Sequence, residues 1–245
     1  MFGLPGRRFV RMLLTAVILG VDMGLPRLTF AGTTLTPEVD LYLTHNDLFR
    51  SRLIASGSWS DTDSRWSSGF YEYSVDFGLK SFFRRYVYKD PNVEKGKFIT
   101  VRLGYAYVPD YTGDETASDE QRGTAELTLR LPIGGKWLWS DRNKGDFRMV
   151  DDTTSERYRN RLRVERGMAF LGFKGTPYAS AEAYYDTLVH RWNRLDARAG
   201  IEIPWRYSTV FEIFFAHQAV WEDSPAELIG FVLQKHMAMP MGGTQ

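Results

Sequence analysis

The chain has 245 residues and a formal net charge of +1. That length suits one large β domain or two small ones, and near-neutrality leaves no global field to draw the chain to nucleic acid or acidic lipid. It has no cysteine, which excludes disulfides, thiolate metal sites and cysteine nucleophiles. Aromatic residues reach 15%, with 13 Tyr and 7 Trp, rings favoured where one end is dry and the other wet.

The first element is a targeting signal. Arg7, Arg8 and Arg11 form a basic region, Met12 to Val21 is an apolar run, and Ala31 supplies a small residue before Gly32. These features predict a signal peptide over 1–31 and an exported mature domain over 32–245. The apolar run is far short of the ~20 residues a membrane-spanning helix needs. In a Gram-negative-type cell the destinations are periplasm, outer membrane or medium. No later segment reads as a spanning helix, so a membrane location requires a closed barrel.

Beyond residue 32 the chain is a succession of period-two segments separated by turn residues. Predicted strands cover 36–45, 49–60, 69–80 (with a continuation toward Tyr88), 97–108, 124–133 and 137–150. They continue over 157–166, 178–187, 193–205, 208–217 and 227–237. Asp110 to Arg122 reads as the longest exposed loop, at the extracellular rim. The segments are about ten residues long, as tilted membrane strands are. Eleven candidates conflict with the even strand number usual in bacterial single-chain barrels. One segment is therefore expected to be false, merged or missed. The weakest is 137–150, where Asp141, Asn143 and Gly145 interrupt the alternation. The expected fold is a single antiparallel up-and-down transmembrane β-barrel of about 10–12 strands.

The strand period sorts side chains onto two faces. One face carries Tyr71, Tyr73, Val75, Phe77, Leu79, Val101, Leu103, Tyr105, Leu127, Leu129, Ile201, Phe211, Ile213 and Phe215. The other carries Glu126, Arg130, Arg159, Arg161, Arg163, Glu165, Glu182, Asp186, Arg194, Arg198, Glu202 and Glu212. A soluble sheet would turn the aromatic face inward; a membrane barrel turns it to lipid. Arg outnumbers Lys on the charged face and alternates with carboxylates, a pattern suited to bidentate pairing in restricted space. An Arg on the lipid side at mid-bilayer costs about 2–4 kcal/mol. The expected arrangement is apolar outward, with a lumen charge network inside.

Two stretches, WLWSDRNKGDFRMVDDTTSERYRNRLRVER (137–166) and PYASAEAYYDTLVHRWNRLDARAGIEIP (177–204), carry a resemblance. The DRN segment, the RNRLR strand, the P-Y-x-S-x-E-x-Y strand and the NR-x-x-x-x-x-G set are similar to the bacterial family catalogued as domain of unknown function 2490. The resemblance implies an outer-membrane β-barrel. It supplies no activity and no catalytic residue. Outer-membrane barrels often end on an aromatic residue, whereas this chain ends MAMPMGGTQ; either the last strand is 227–237 with a short tail after it, or the assembly signal differs here.

Chemistry finds little footing. Some outer-membrane barrels are lipid hydrolases built on Ser and His at the rim. None of His45, His190, His217 and His236 has a serine two residues away, the spacing that puts both on one strand face. His217 is in phase with the outward Phe211 and Phe215 and is the best candidate, although an interfacial strand-end histidine is the blander reading. The lumen carboxylates Glu126, Glu182, Glu202 and Glu212 lie among arginines, which favours structural pairing over acid–base work. The Tyr158 phase separates its ring from the arginines of RYRNRLRVER, against a nucleic-acid patch. No metal or cofactor is expected. The expected partners are outer-membrane lipid and, during biogenesis, barrel-assembly machinery and periplasmic chaperones, with no nucleic acid. The leading expectation is a non-enzymatic barrel with a structural, narrow-pore or small-solute role. The alternatives are a lipid-modifying hydrolase with a rim site, and a soluble periplasmic barrel holding an apolar ligand.

Overall fold

The computed structural model describes residues 33–62, 64–80, 93–113, 118–134, 136–170, 173–221 and 224–239. The signal peptide expected over 1–31, and any continuation of the third strand toward Tyr88, lie outside them. The strands are β1 (Thr33–Thr44), β2 (Phe49–Ser60), β3 (Arg65–Lys80), β4 (Ile99–Val108), β5 (Glu120–Gly134) and β6 (Trp137–Val150). They continue as β7 (Thr153–Arg166), β8 (Met168–Phe170), β9 (Phe173–Asp186), β10 (Arg191–Trp205), β11 (Thr209–Val220) and β12 (Ala226–Ala238). All but β8 form one closed barrel of eleven strands. Each of the eleven periodic segments in the sequence is one of these strands. The short β8 pairs only with the start of β9, in a hairpin at the rim.

The odd count corrects the expectation of a missing or false strand. Every sequential neighbour in the barrel pairs antiparallel, but β1 and β12 close the seam in parallel, from Thr33↔Glu227 to Thr44↔Ala238. An even number follows only when the closing pair is antiparallel. A parallel seam needs an odd one, because successive up-and-down strands alternate in direction. The doubtful segment 137–150 is a complete strand, paired over its length with β5 and β7.

The barrel has two mouths. The proximal rim carries the start of β1 and the end of β2; the distal rim carries Thr44 and the β1–β2 turn. Several strands run past their predicted ends at the proximal rim: β3 begins at Arg65, β5 at Glu120 and β7 at Thr153. The loop expected over 110–122 is accordingly shorter, since Glu120, Gln121 and Arg122 belong to β5. Its start is pinned to β3, with Gly69 donating to the Pro109 carbonyl and Tyr111 to that of Ser67, both at 3.0 Å. Register shifts sit near strand ends, as between Ser58 and Trp59 and between Trp192 and Arg194, where a bulge disturbs the wall least.

Charged side chains face inward and large apolar ones outward. Asp76 and Ser74 are 0% exposed, whereas Tyr73, Leu103, Tyr105 and Phe215 on the outside are 51–52% exposed. Eleven strands spaced ~4.8 Å apart and tilted ~40° enclose a cylinder of about 22 Å backbone to backbone. Long charged side chains fill most of that width.

Candidate functional site

The twelve residues assigned to the charged face all lie on the lumen side. Glu126, Glu165, Glu182, Asp186, Glu202 and Glu212 are buried, and Arg130, Arg159, Arg161, Arg163, Arg194 and Arg198 are half-buried. The fourteen assigned to the apolar face lie on the outer wall: Tyr71, Tyr73, Phe77, Leu79, Leu103, Tyr105, Leu127, Phe211, Ile213 and Phe215 are exposed, and Val75, Val101, Leu129 and Ile201 half-buried. A charged interior of this kind is poorly suited to an apolar ligand.

Register organises the lumen into rows that cross the strands. One row runs Arg50–Asp76–Arg102–Glu126–Lys144 over β2 to β6. Directly opposed side chains on neighbouring strands are ~4.5–5.5 Å apart at Cβ, within ion-pairing reach. Arg50 donates Nε and Nη2 to Asp76 Oδ2 at 2.9 and 2.6 Å. Arg102 reaches the same carboxylate at 3.2 Å through Nη2 and Glu126 at 3.3 Å through Nη1. Lys144 turns to Glu72 at 3.1 Å. Further round, Glu182 accepts from Arg142 Nη2 at 2.7 Å and Arg161 Nε at 2.8 Å, while Asp146 takes Arg159 at 2.8 Å. Toward the proximal mouth, Asp186 holds Arg157 at 2.8 Å and Arg148 at 3.3 Å. Arg194 is held by Asp196 through Nε and Nη2 at 2.8 and 2.6 Å.

A second row has a different composition. It runs Arg130–Ser140–Arg163–Ser180–Arg198 over β5, β6, β7, β9 and β10. Here the separators are serines, not carboxylates. Arg130 donates to Thr100 Oγ1 at 2.8 Å. Arg163 reaches Glu165 at 2.8 Å and Glu202 at 2.5 Å, and its guanidinium lies 3.7 Å from the Tyr178 ring centre. Arg198 lies 3.9 Å over the Phe214 ring. Among the described residues it has no carboxylate within 4.0 Å. The acid beside Phe214 is Glu212, which instead accepts from the Tyr178 hydroxyl and from Gln234 at 3.2 Å. Phe214 has room to lie flat because its register partners are Gly200 and Gly230. A Cβ at Gly200 would sit 2.8 Å from the Phe214 Cβ, and one at Gly230 would clash with the ring at 2.0 Å from its Cζ.

Between these rows the lumen holds a cavity of about 350 Å³, the bulk volume of roughly a dozen waters at ~30 Å³ each. Arg130, Ser140, Arg163, Arg198, Glu202 and Glu212 are among its lining residues.

One lining residue had no periodic signal in the sequence. Lys95 sits on a 3-10 turn, Val93–Gly96, in the β3–β4 connection at the distal mouth. Its ammonium reaches Glu165 on β7 at 3.0 Å and also pairs with Glu202 on β10. A loop residue thus enters the lumen and shares two carboxylates with Arg163. Lys97 donates to the Asp47 carbonyl in the β1–β2 turn, tying the same connection to the rim.

Two outward features were also hidden. The residues that interrupt the alternation of 137–150 face the outer wall and form a polar cluster with β7. Asn160 Nδ2 donates to Asp141 Oδ1 at 2.7 Å and to Asn143 Oδ1 at 3.1 Å, and the Tyr158 hydroxyl donates to Asn143 Oδ1. The cluster satisfies itself across one strand pair. At the distal rim, His45 Nε2 lies 2.8 Å from Ser51 Oγ. A search for His-x-Ser misses this pair because a turn, not a strand, brings it together. His217, the histidine favoured from sequence, is exposed on the outer wall with its Nδ1 2.7 Å from Glu227 Oε1.

Residues 57–227 match the model of a family described as "Protein of unknown function (DUF2490)". The chain belongs to this family. No curated protein and no solved structure matches it. The DUF2490 match runs from the end of β2 to the start of β12 and so takes in both lumen rows apart from Arg50. Within it, the DRN and RNRLR segments share a logic. Arg142, Arg159, Arg161 and Arg163 enter the lumen, while Asp141, Asn143 and Asn160 lock the outer faces of the same two strands.

Proposed function

We propose that the chain is a non-enzymatic outer-membrane β-barrel whose arginine- and carboxylate-lined lumen holds or passes a small polar solute. The observation that carries this reading is the placement of tryptophan. All seven lie at or next to strand ends on the two rims: Trp59, Trp66, Trp192 and Trp221 at the proximal rim, Trp137, Trp139 and Trp205 at the distal one. Between them the outer wall is largely apolar, apart from the self-paired cluster of Asp141, Asn143 and Asn160 and the His217–Glu227 pair. Indole rings concentrate at membrane–water interfaces, and a barrel's hydrocarbon band is flanked by aromatic girdles. A 12-residue strand such as β11, at ~3.3 Å per residue and ~40° tilt, rises about 30 Å, close to the hydrocarbon thickness of a bilayer.

Fractionation of the exported protein tests the location. Recovery in the outer membrane, with a heat-modifiable shift on gels, is the expected result; a freely soluble periplasmic protein would reject the reading. Single-channel recording in planar bilayers tests passage.

A second reading, an ester hydrolase on the outer rim, rests on the His45–Ser51 hydrogen bond alone. The geometry suits activation of a serine by imidazole. Among the described residues, however, no carboxylate orients the other ring nitrogen of His45. Covalent labelling by a fluorophosphonate, abolished in Ser51→Ala, would favour this reading; an unlabelled protein would remove it.

A further inference from the structure

We propose that the lumen cavity is a binding site for a small free oxyanion, gripped by the row Arg130–Ser140–Arg163–Ser180–Arg198. The inference rests on the reading of the lumen as a solute site and names the class of solute. Four observations carry it.

The first is charge. The cavity is lined by nine Arg and Lys against six Asp and Glu; two further carboxylates, Asp76 and Glu182, pair lining arginines from just outside it, which leaves an excess of one cation. Buried cations without counter-charge are unfavourable, and an anion entering from solvent supplies what the protein lacks. The second is where the excess lies. Among the described residues Arg198 meets no carboxylate, and its neighbour Glu212 is engaged by Tyr178 and Gln234.

The third is spacing. On the shared row, Ser180 stands between Arg163 and Arg198. Two ladder steps put the strands that carry these arginines about 10 Å apart. A serine between two arginines fills less of that span than a long charged side chain does. Ser140 repeats the arrangement between Arg130 and Arg163. Planar guanidinium forks and hydroxyl donors fit the paired oxygens of phosphate, sulfate or carboxylate better than a spherical halide. The fourth is pre-organisation. Arg163 and Arg198 each lie over an aromatic ring, 3.7 Å from Tyr178 and 3.9 Å from Phe214. A guanidinium held this way loses little freedom when it binds.

The test is calorimetric titration of the detergent-solubilised full-length mature protein with inorganic phosphate, at constant ionic strength made up with chloride. Saturable phosphate binding that sulfate competes away is expected. Arg198→Gln should weaken it at least tenfold, Arg198→Lys by less, and Arg157→Gln, whose partner Asp186 lies at the proximal mouth, should leave it unchanged. Retention of the heat-modifiable gel shift establishes that each variant is folded; should Arg198→Gln lose it, Gly230→Ala, which displaces the Phe214 ring beneath Arg198, is expected to weaken phosphate in its place. Absence of phosphate binding to the wild type, or equal binding by folded Arg198→Gln, overturns the site. Failure of the underlying reading looks different. A protein that binds phosphate with this variant pattern but conducts nothing keeps the site and loses the pore. A barrel that conducts with a cation preference indifferent to Arg198→Gln keeps the pore and loses the site.

Discussion

The lumen of this DUF2490 barrel uses arginine in two ways. On β2 to β5 the row Arg50–Asp76–Arg102–Glu126 alternates sign at every strand, and each guanidinium is matched to a neighbouring carboxylate. On β5 to β10 the row Arg130–Ser140–Arg163–Ser180–Arg198 alternates charge with a small hydroxyl. The first row neutralises itself and holds the wall together. In the second, Arg130 bonds to Thr100, Arg163 pairs with Glu165 and Glu202 off the row, and Arg198 lies on the Phe214 ring. The same residue type is therefore structural where its ladder neighbours are acids, whereas Arg198, set beside a serine, keeps a ring contact and, among the described residues, no carboxylate within 4.0 Å.

The contrast breaks most visibly under Arg102→Met. This change strands Asp76, which is fully buried, and Glu126 with one cation fewer each. Removing one partner from a buried ion pair costs about 3–5 kcal/mol, so a large fall in the urea midpoint of unfolding in detergent is expected. Lys95→Met should cost less, about 1–3 kcal/mol, because Glu165 and Glu202 keep Arg163. Its clearer effect is on passage: with the turn released from the lumen, unit conductance should rise.

On the outer wall, Asn160→Leu removes the 2.7 Å hydrogen bond donated to Asp141 and leaves that carboxylate less satisfied. A loss of about 1–3 kcal/mol is expected, read as reduced yield of the heat-modifiable form. Smallest of all should be the stability change in Arg198→Gln, below about 1 kcal/mol, since no ion pair is broken and only a ring contact is lost. If Arg198→Gln destabilised the barrel as much as Arg102→Met, the division between the acid-flanked arginines and Arg198 would collapse.

Much of the architecture is legible along the chain because a strand writes its two faces in alternate residues. That is why Phe77, Leu127 and Ile201 could be set against Arg163 and Glu202 without coordinates. Strand ends are less legible. The starts of β3, β5 and β7 extend into polar sequence, where outward residues such as Gln121 and Glu156 no longer differ from inward ones and the period has no contrast. The polar outer cluster looked like a fault in β6 because its explanation, Asn160, lies on β7. Lys95 was invisible because a 3-10 turn has no strand period, and His45–Ser51 because a turn defines the pair.

Sequence by itself determined which side of each strand is apolar and which is ionised, since backbone pleating assigns alternate side chains to opposite faces whatever the neighbours are. Only the tertiary structure decided how the ring closes and which charges meet. Both depend on the register of strands far apart in the chain, above all the parallel seam of β1 with β12. The residue opposite a given arginine, acid or serine, is therefore a property of the closed barrel and of no single strand.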